Sequence, residues 1–212
     1  MTETRQESLI ERRRQIVRSE IGRVAIELFA EHGFDAVTVD QIAAAAGTSQ
    51  RTFFRYFESK DDVLLDYERR LQARLLAAFD EQPDSVGAVR ALRHAYATTA
   101  HIEPADRPRI VQLGRILESA PALRARARGE RTTVDTTLVA HVARRLGTPA
   151  GSPAARTVVA AMGAVATTEY QNWVHGGGRG DLAERMVAAL DLVIGGLGAL
   201  EQRDARASRT PG

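Results

Sequence analysis

The sequence predicts an all-α protein, and three features of its 212 residues carry that prediction. Alanine, leucine, arginine and glutamate dominate, and all four are good helix formers. No segment longer than a few residues alternates apolar with polar in the manner of a strand. Pro104, Pro108, Pro121, Pro149 and Pro153, with the linker-like Gly176–Gly180 stretch, supply the breaks between segments of helical length.

The first helix is expected from about Glu11 to Glu31. Ile16, Ile21, Val24, Ala25, Leu28 and Phe29 recur at helical spacing and form one apolar stripe. His32-Gly33 ends it, with Gly33 as the left-handed residue past the cap. Thr38-Val39-Asp40-Gln41 is a capping box opening a short helix to about Ala46. Gly47-Thr48-Ser49 breaks that helix, and Ser49 caps another through about Phe57. Ser59, with Asp62 three residues on, caps a fourth helix to about Phe79. Gln82-Pro83-Asp84-Ser85 reads as a boundary. Helices follow at about Val86–Ala100, Arg107–Ser119, Ala122–Leu146, Ala154–His175 and Leu182–Leu200, about nine in total. Residues 203–212 are polar and expected to be a disordered tail.

Composition narrows the function classes. The apolar fraction of 44% fills a core, so the chain is not a disordered one. Cysteine is absent, which excludes disulfides, thiolate metal sites and cysteine nucleophiles. The charged N-terminus has no signal-peptide pattern, and no apolar run reaches membrane-spanning length, so a cytoplasmic protein with no membrane role is expected. Net charge is only +2, and residues 1–60 carry as many acids as bases. Global basicity is therefore no argument for nucleic acid, and the case must rest on where the charges lie.

They lie informatively between Thr38 and Lys60. Two short capped helices meet across a turn containing Gly47, which is the helix-turn-helix arrangement. Helices so short are not stable alone and need the first helix as a platform. In the second, Phe53 and Phe57 are expected to pack inward. Gln50, Arg51, Phe54 and Arg55 then point away, and they suit a major groove: Arg toward guanine, Gln toward adenine, an aromatic edge toward a thymine methyl. Thr38, Ser49, Thr52, Tyr56 and Lys60 flank this face or sit at helix starts, where hydroxyls, N–H groups and an ammonium suit phosphate oxygens. Arg12, Arg13, Arg14 and Arg18 cluster near the start of the first helix, either as an arm toward DNA or as a solvated helix start.

These residues resemble the DNA-binding domain of the TetR family of bacterial repressors. The likeness runs from about Arg14 to Leu65: an apolar first helix ending in HGF, then TVDQIAAAAG, TFFRYF and SKD. It implies phosphate contacts from Thr38 and Lys60, and a groove face of Gln50, Arg51, Phe54 and Arg55. Two positions depart from the pattern. Phe54 stands where relatives often carry Tyr, and Arg51 where they often carry a small residue. Two domains and a tail are implied: a helix-turn-helix domain at 10–60, an effector-binding and dimerisation bundle at 61–202, and the tail.

The C-terminal bundle carries weaker signals. Apolar and small residues cover one side of the last two helices, and the expected dimer face is Val159, Gly163, Ala166, Met186, Leu190, Val193, Ile194 and Leu197. Candidates for an effector pocket are Tyr96, His101, Leu113, Leu117, Leu138, Met162, Tyr170 and Trp173. The Arg-rich stretch 107–145 suits either an anionic ligand or solvent. No metal-ligand spacing, nucleophile elbow, dinucleotide fingerprint or paired acid and base is present, so neither cofactor nor catalysis is expected. The expected function is a homodimeric regulator, of repressor type. It would bind palindromic double-stranded operator DNA and be released by a small, largely apolar effector. The alternative is a ligand-independent DNA-binding or architectural protein whose bundle only dimerises.

Overall fold

A computed structural model describes residues 2–196, and among them lie nine α-helices, one short 3-10 turn and no strand. The helices are α1 Thr2–His32, α2 Val39–Ala45, α3 Gln50–Tyr56, α4 Lys60–Asp80, α5 Ala88–Thr99, α6 Arg107–Ser119, α7 Pro121–Leu146, α8 Pro153–His175 and α9 Leu182–Ile194. The 3-10 turn is Pro104–Asp106. Leu197 and the expected tail lie outside the described residues. The chain divides into two compact units, Met1–Arg70 with Gln112–Ala127, and Leu71–Val111 with Arg128–Gly212. The division along α4 thus falls about ten residues after the expected 60/61 boundary. The turn at Gln82–Ser85 lies inside the second unit.

The first unit is built on the α1 stripe. Ile21, Ala25, Ile26 and Phe29 are buried with Val37, Ile42, Ala43, Phe53, Phe57, Val63, Leu64 and Leu65, and Leu113, Ile116 and Leu123 complete the same core. Ile16 does not belong to it. It is 67% exposed, because five residues before Ile21 is about 140° round the helix from it. Val17, four residues before Ile21, packs on the core instead. Arg18 also leaves the basic cluster to which its position assigned it. Its guanidinium bonds the buried Asp66 at 2.7 Å and lies over the Phe57 ring, 5.1 Å from its centroid. Arg70 pairs with the same carboxylate and donates to Ser19 Oγ at 2.7 Å. A buried carboxylate is costly unless paired, so Asp66 fastens α4 to α1 through two arginines.

The second unit is a helical bundle in which α8 packs on α9, and α5 on both. Ala88, Ala91, Leu92 and Ala95 give α5 one buried face. Arg145 of α7 stitches the turn after α4. Its guanidinium donates to the carbonyls of Gln82 at 2.8 Å, Pro83 at 2.8 Å and Val86 at 3.1 Å, and it stacks on Phe79. Asp80 adds bonds to His141 and Arg144. The Gly176–Gly180 segment, which composition alone reads as a linker, closes tightly over Trp173. The Trp173 indole donates to the Gly180 carbonyl at 3.3 Å. Gly178 has φ +75, and a Cβ there would lie 2.7 Å from Val111 Cγ2. Only glycine satisfies both conditions.

Candidate nucleic-acid interface

The helix-turn-helix forms by local chemistry. Thr38 caps α2: its hydroxyl accepts from Gln41 N–H at 3.3 Å, while its own N–H donates to Gln41 Oε1 at 2.8 Å. The end of α2 is a Schellman turn. Gly47, at φ +62, donates to the Ala44 carbonyl, and Thr48 N–H to the Ala43 carbonyl. Ser49 then caps α3, accepting from Thr52 N–H at 3.1 Å and bonding the Thr52 hydroxyl at 2.9 Å.

The faces of α3 divide as their spacing dictates. Phe53 and Phe57 are fully buried, their rings 5.5 Å apart. Gln50, Arg51, Phe54 and Arg55 are exposed together on the other side. Phe54 keeps 51% of its surface in water while its ring meets Phe53 edge-on. Arg55 leans on its neighbour: its guanidinium donates to Tyr56 Oη at 3.2 Å and lies 5.0 Å from the ring centroid. Arg13 and Arg14 are exposed on α1, whereas the Arg12 side chain is outside the described residues.

Lys60 has a different environment from the one expected. Its ammonium donates to the carbonyls of Phe34 at 2.7 Å, Asp35 at 3.2 Å and Val37 at 3.1 Å, and sits 4.5 Å from the Phe34 ring centroid. Sequence spacing gave no sign of this, because the partners lie more than twenty residues earlier.

The expected pocket residues are divided between the two units. Leu113 and Leu117 pack in the core of the first. In the second, Leu138, Met162 and Trp173 are buried, and Tyr170 Oη donates to the Ile110 carbonyl at 3.5 Å. A Cβ on Gly163 would lie 3.3 Å from the Tyr96 hydroxyl, so these two positions face each other. His101 is exposed beyond α5, with Glu103 3.4 Å away. Sequence reasoning missed Gln72 of α4. It is only 8% exposed, and among the described residues neither amide atom has a hydrogen-bond partner.

Of the expected dimer face, Val159 and Ala166 of α8 and Met186 and Leu190 of α9 are buried within the chain, and Gly163 is half-buried. Val193 is half-buried, and Ile194 remains 41% exposed. The outward side of α8 is instead Ala160, Ala164, Thr168 and Gln171.

Known proteins give this geometry its context. Residues 21–67 match the profile of bacterial regulatory proteins of the tetR family, and residues 86–198 match the MftR C-terminal domain. The second match alone spans more than half of the chain.

The chain belongs to the TetR family.

A curated relative is the protein named mycofactocin biosynthesis transcriptional regulator MftR in Mycobacterium tuberculosis. It is 34% identical over 197 residues, covering 92% of this chain and 98% of the relative. The HTH-type transcriptional regulator TcmR of Streptomyces glaucescens is 31% identical over 123 residues, covering 55% of this chain and 54% of TcmR. Among solved structures, the fatty acid degradation regulator FadR of Bacillus halodurans superposes with TM-score 0.61 at 19% identity, over 85% of this chain and 96% of FadR. FadR of Thermus thermophilus, a repressor solved with lauroyl-CoA, matches with TM-score 0.55 at 26% identity, over 84% of this chain and 93% of that one. This TetR-family protein is thus a DNA-binding transcriptional regulator, and no described helix is long and apolar enough to cross a membrane.

Proposed function

We propose that this TetR-family regulator is a homodimeric repressor that reads a palindromic operator and is released by an acyl-CoA effector. The observation that carries the DNA half is the division of α3, with Phe53 and Phe57 buried and Gln50, Arg51, Phe54 and Arg55 exposed together. On this reading Arg51 and Arg55 donate to base edges, Gln50 pairs with adenine, and Phe54 covers a thymine methyl. Thr38, Ser49, Thr52 and Tyr56 hold flanking phosphates. One α3 spans only a few base pairs, so a two-fold dimer is needed for a usable site. The outward α8 face of Ala160, Ala164, Thr168 and Gln171, with the exposed Ile194 of α9, supports a close helix-to-helix partner surface.

The effector half rests on relatives. Thermus thermophilus FadR is a repressor with lauroyl-CoA, and this chain shares its fold over most of both lengths. Within the second unit, Leu138, Met162, Tyr170 and Trp173 supply the apolar and aromatic setting that an acyl chain needs, with Tyr96 as a polar group.

Selection of bound duplexes from random DNA tests the first half, and a palindrome spaced for two major-groove contacts is the expected result. Titration of lauroyl-CoA into the complex tests the second. Selected sites without two-fold symmetry would sink the dimeric reader. Retention of the complex at saturating lauroyl-CoA would sink the acyl-CoA release.

A further inference from the structure

A polar side chain buried in a fold is costly unless it is bonded. Among the described residues four are buried, Asp62, Asp66, Glu68 and Gln72, and all lie on α4. Asp62 holds Arg69, Asp66 holds Arg18 and Arg70, and Glu68 is engaged as well. Gln72 differs. It is 8% exposed, and among the described residues neither the oxygen nor the nitrogen of its amide has a hydrogen-bond partner. It stands near the start of the part of α4 that belongs to the second unit. Leu76, one turn on, is half-buried, and Phe79, two turns on, is fully buried. The amide therefore interrupts a helix face that is otherwise apolar. Leu would continue that face and would need no partner.

We infer that Gln72 is a ligand-recognition residue: its buried amide pairs with a secondary amide in the pantetheine arm of the effector. The inference rests on the acyl-CoA reading given above and selects, within that ligand, the group this residue can take. A carboxamide carries one acceptor oxygen and two donor hydrogens. A fatty carboxylate only accepts, and so does a thioester carbonyl, so either would leave the Gln72 oxygen unmet. A secondary amide both donates and accepts, and the pantetheine arm places one two carbons from the thioester sulfur. The same unit supplies apolar surroundings for the acyl chain from Leu138, Met162 and Trp173. A buried polar group that is satisfied only by ligand discriminates well, because a ligand lacking the matching group leaves it unpaired.

The test is a cycle of two ligands against wild type and two variants of the full chain, read by titration calorimetry. Lauroyl-N-acetylcysteamine keeps the thioester and the first amide of the pantetheine arm. S-pentyl thiolaurate keeps the thioester and the length but has no amide. In Gln72→Leu and Gln72→Met the ratio of the two affinities should move by about tenfold toward S-pentyl thiolaurate. Lauroyl-CoA should weaken by about the same factor in both variants. Without ligand, neither variant should melt below wild type, because the amide it loses is unpaired there. An unchanged ratio in a folded variant overturns the inference. So does a ligand-free melting temperature lowered in both variants, which would show the amide bonded inside the protein. Two substitutions of different shape are used, so that overpacking by one leaves the other to decide. Lauroyl-CoA bound equally by wild type and both variants removes the role of Gln72 alone. Wild type without affinity for lauroyl-CoA or either thioester removes the effector reading itself, and the inference with it.

Discussion

Phe54 and Arg55 stand side by side on α3 yet differ in what they can report. Arg55 is held over Tyr56 by a hydrogen bond and by its stacked guanidinium. Arg55→Ala should cost about 1–3 kcal/mol of specific affinity and relax base preference at one position of each half-site, measured by competition with single-base variants of the selected duplex. A uniform loss over all sequences would assign Arg55 to phosphate instead. Gln72 makes a prediction of opposite sign. Among the described residues its buried amide has no partner, and an unsatisfied buried group costs about 1–3 kcal/mol. Gln72→Leu removes that cost at similar volume, so the melting temperature should rise, at roughly 2–4 °C per kcal/mol. A fall in melting temperature would mean that the amide is bonded in the folded protein. The exposed face of α3 was legible from spacing alone, because a seven-residue helix with two buried Phe leaves only one other side. The fate of Lys60 was not, because backbone carbonyls carry no side-chain signature in a sequence.

At the scale of elements, capping and periodicity were enough to place most helices. Thr38, Ser49 and Ser59 each bond the backbone N–H three residues on, and those bonds fix the starts of α2, α3 and α4. What spacing could not give was the pairing of elements. The α5–α9 contact is an example, joined across ninety-eight residues by Arg93, whose guanidinium meets both oxygens of Asp191 at 2.5 and 2.8 Å. Those hydrogen bonds hold the Asp191 carboxyl below its ordinary range and raise the arginine. A carboxyl depressed in the folded state contributes stability above its unfolded pKa of about 3.9, and loses that contribution as pH falls through the folded value. Both partners are well exposed, so the contribution is at most about 1 kcal/mol after screening. Asp191→Asn should therefore lower the melting temperature slightly at pH 7. The gap should close as pH falls below the unfolded value, and close again in molar salt. An undiminished gap at acid pH would place the effect in packing rather than in charge.

For the whole molecule, the proposed ligand-driven release requires the two units to be coupled, and α4 contributes residues to both. Its first half is fastened by Asp66 to Arg18 and Arg70, and its last residues by Arg145 and His141. Composition predicted the all-α class, but not that Gln112–Ala127 clusters with the first unit. Helical periodicity alone does not say which neighbour a face will meet. If lauroyl-CoA releases the operator, the coupling must be reciprocal: whatever factor the ligand removes from DNA affinity, DNA removes from ligand affinity. Typical couplings of about 1–3 kcal/mol correspond to roughly 5- to 150-fold. Isothermal titration of lauroyl-CoA into the free protein and into the saturated operator complex measures that factor directly. Weaker binding to the complex, by the same factor seen in the release titration, is the expected result. Equal affinity in the two titrations would remove any thermodynamic basis for ligand-driven release, because a ligand that does not distinguish two states shifts neither.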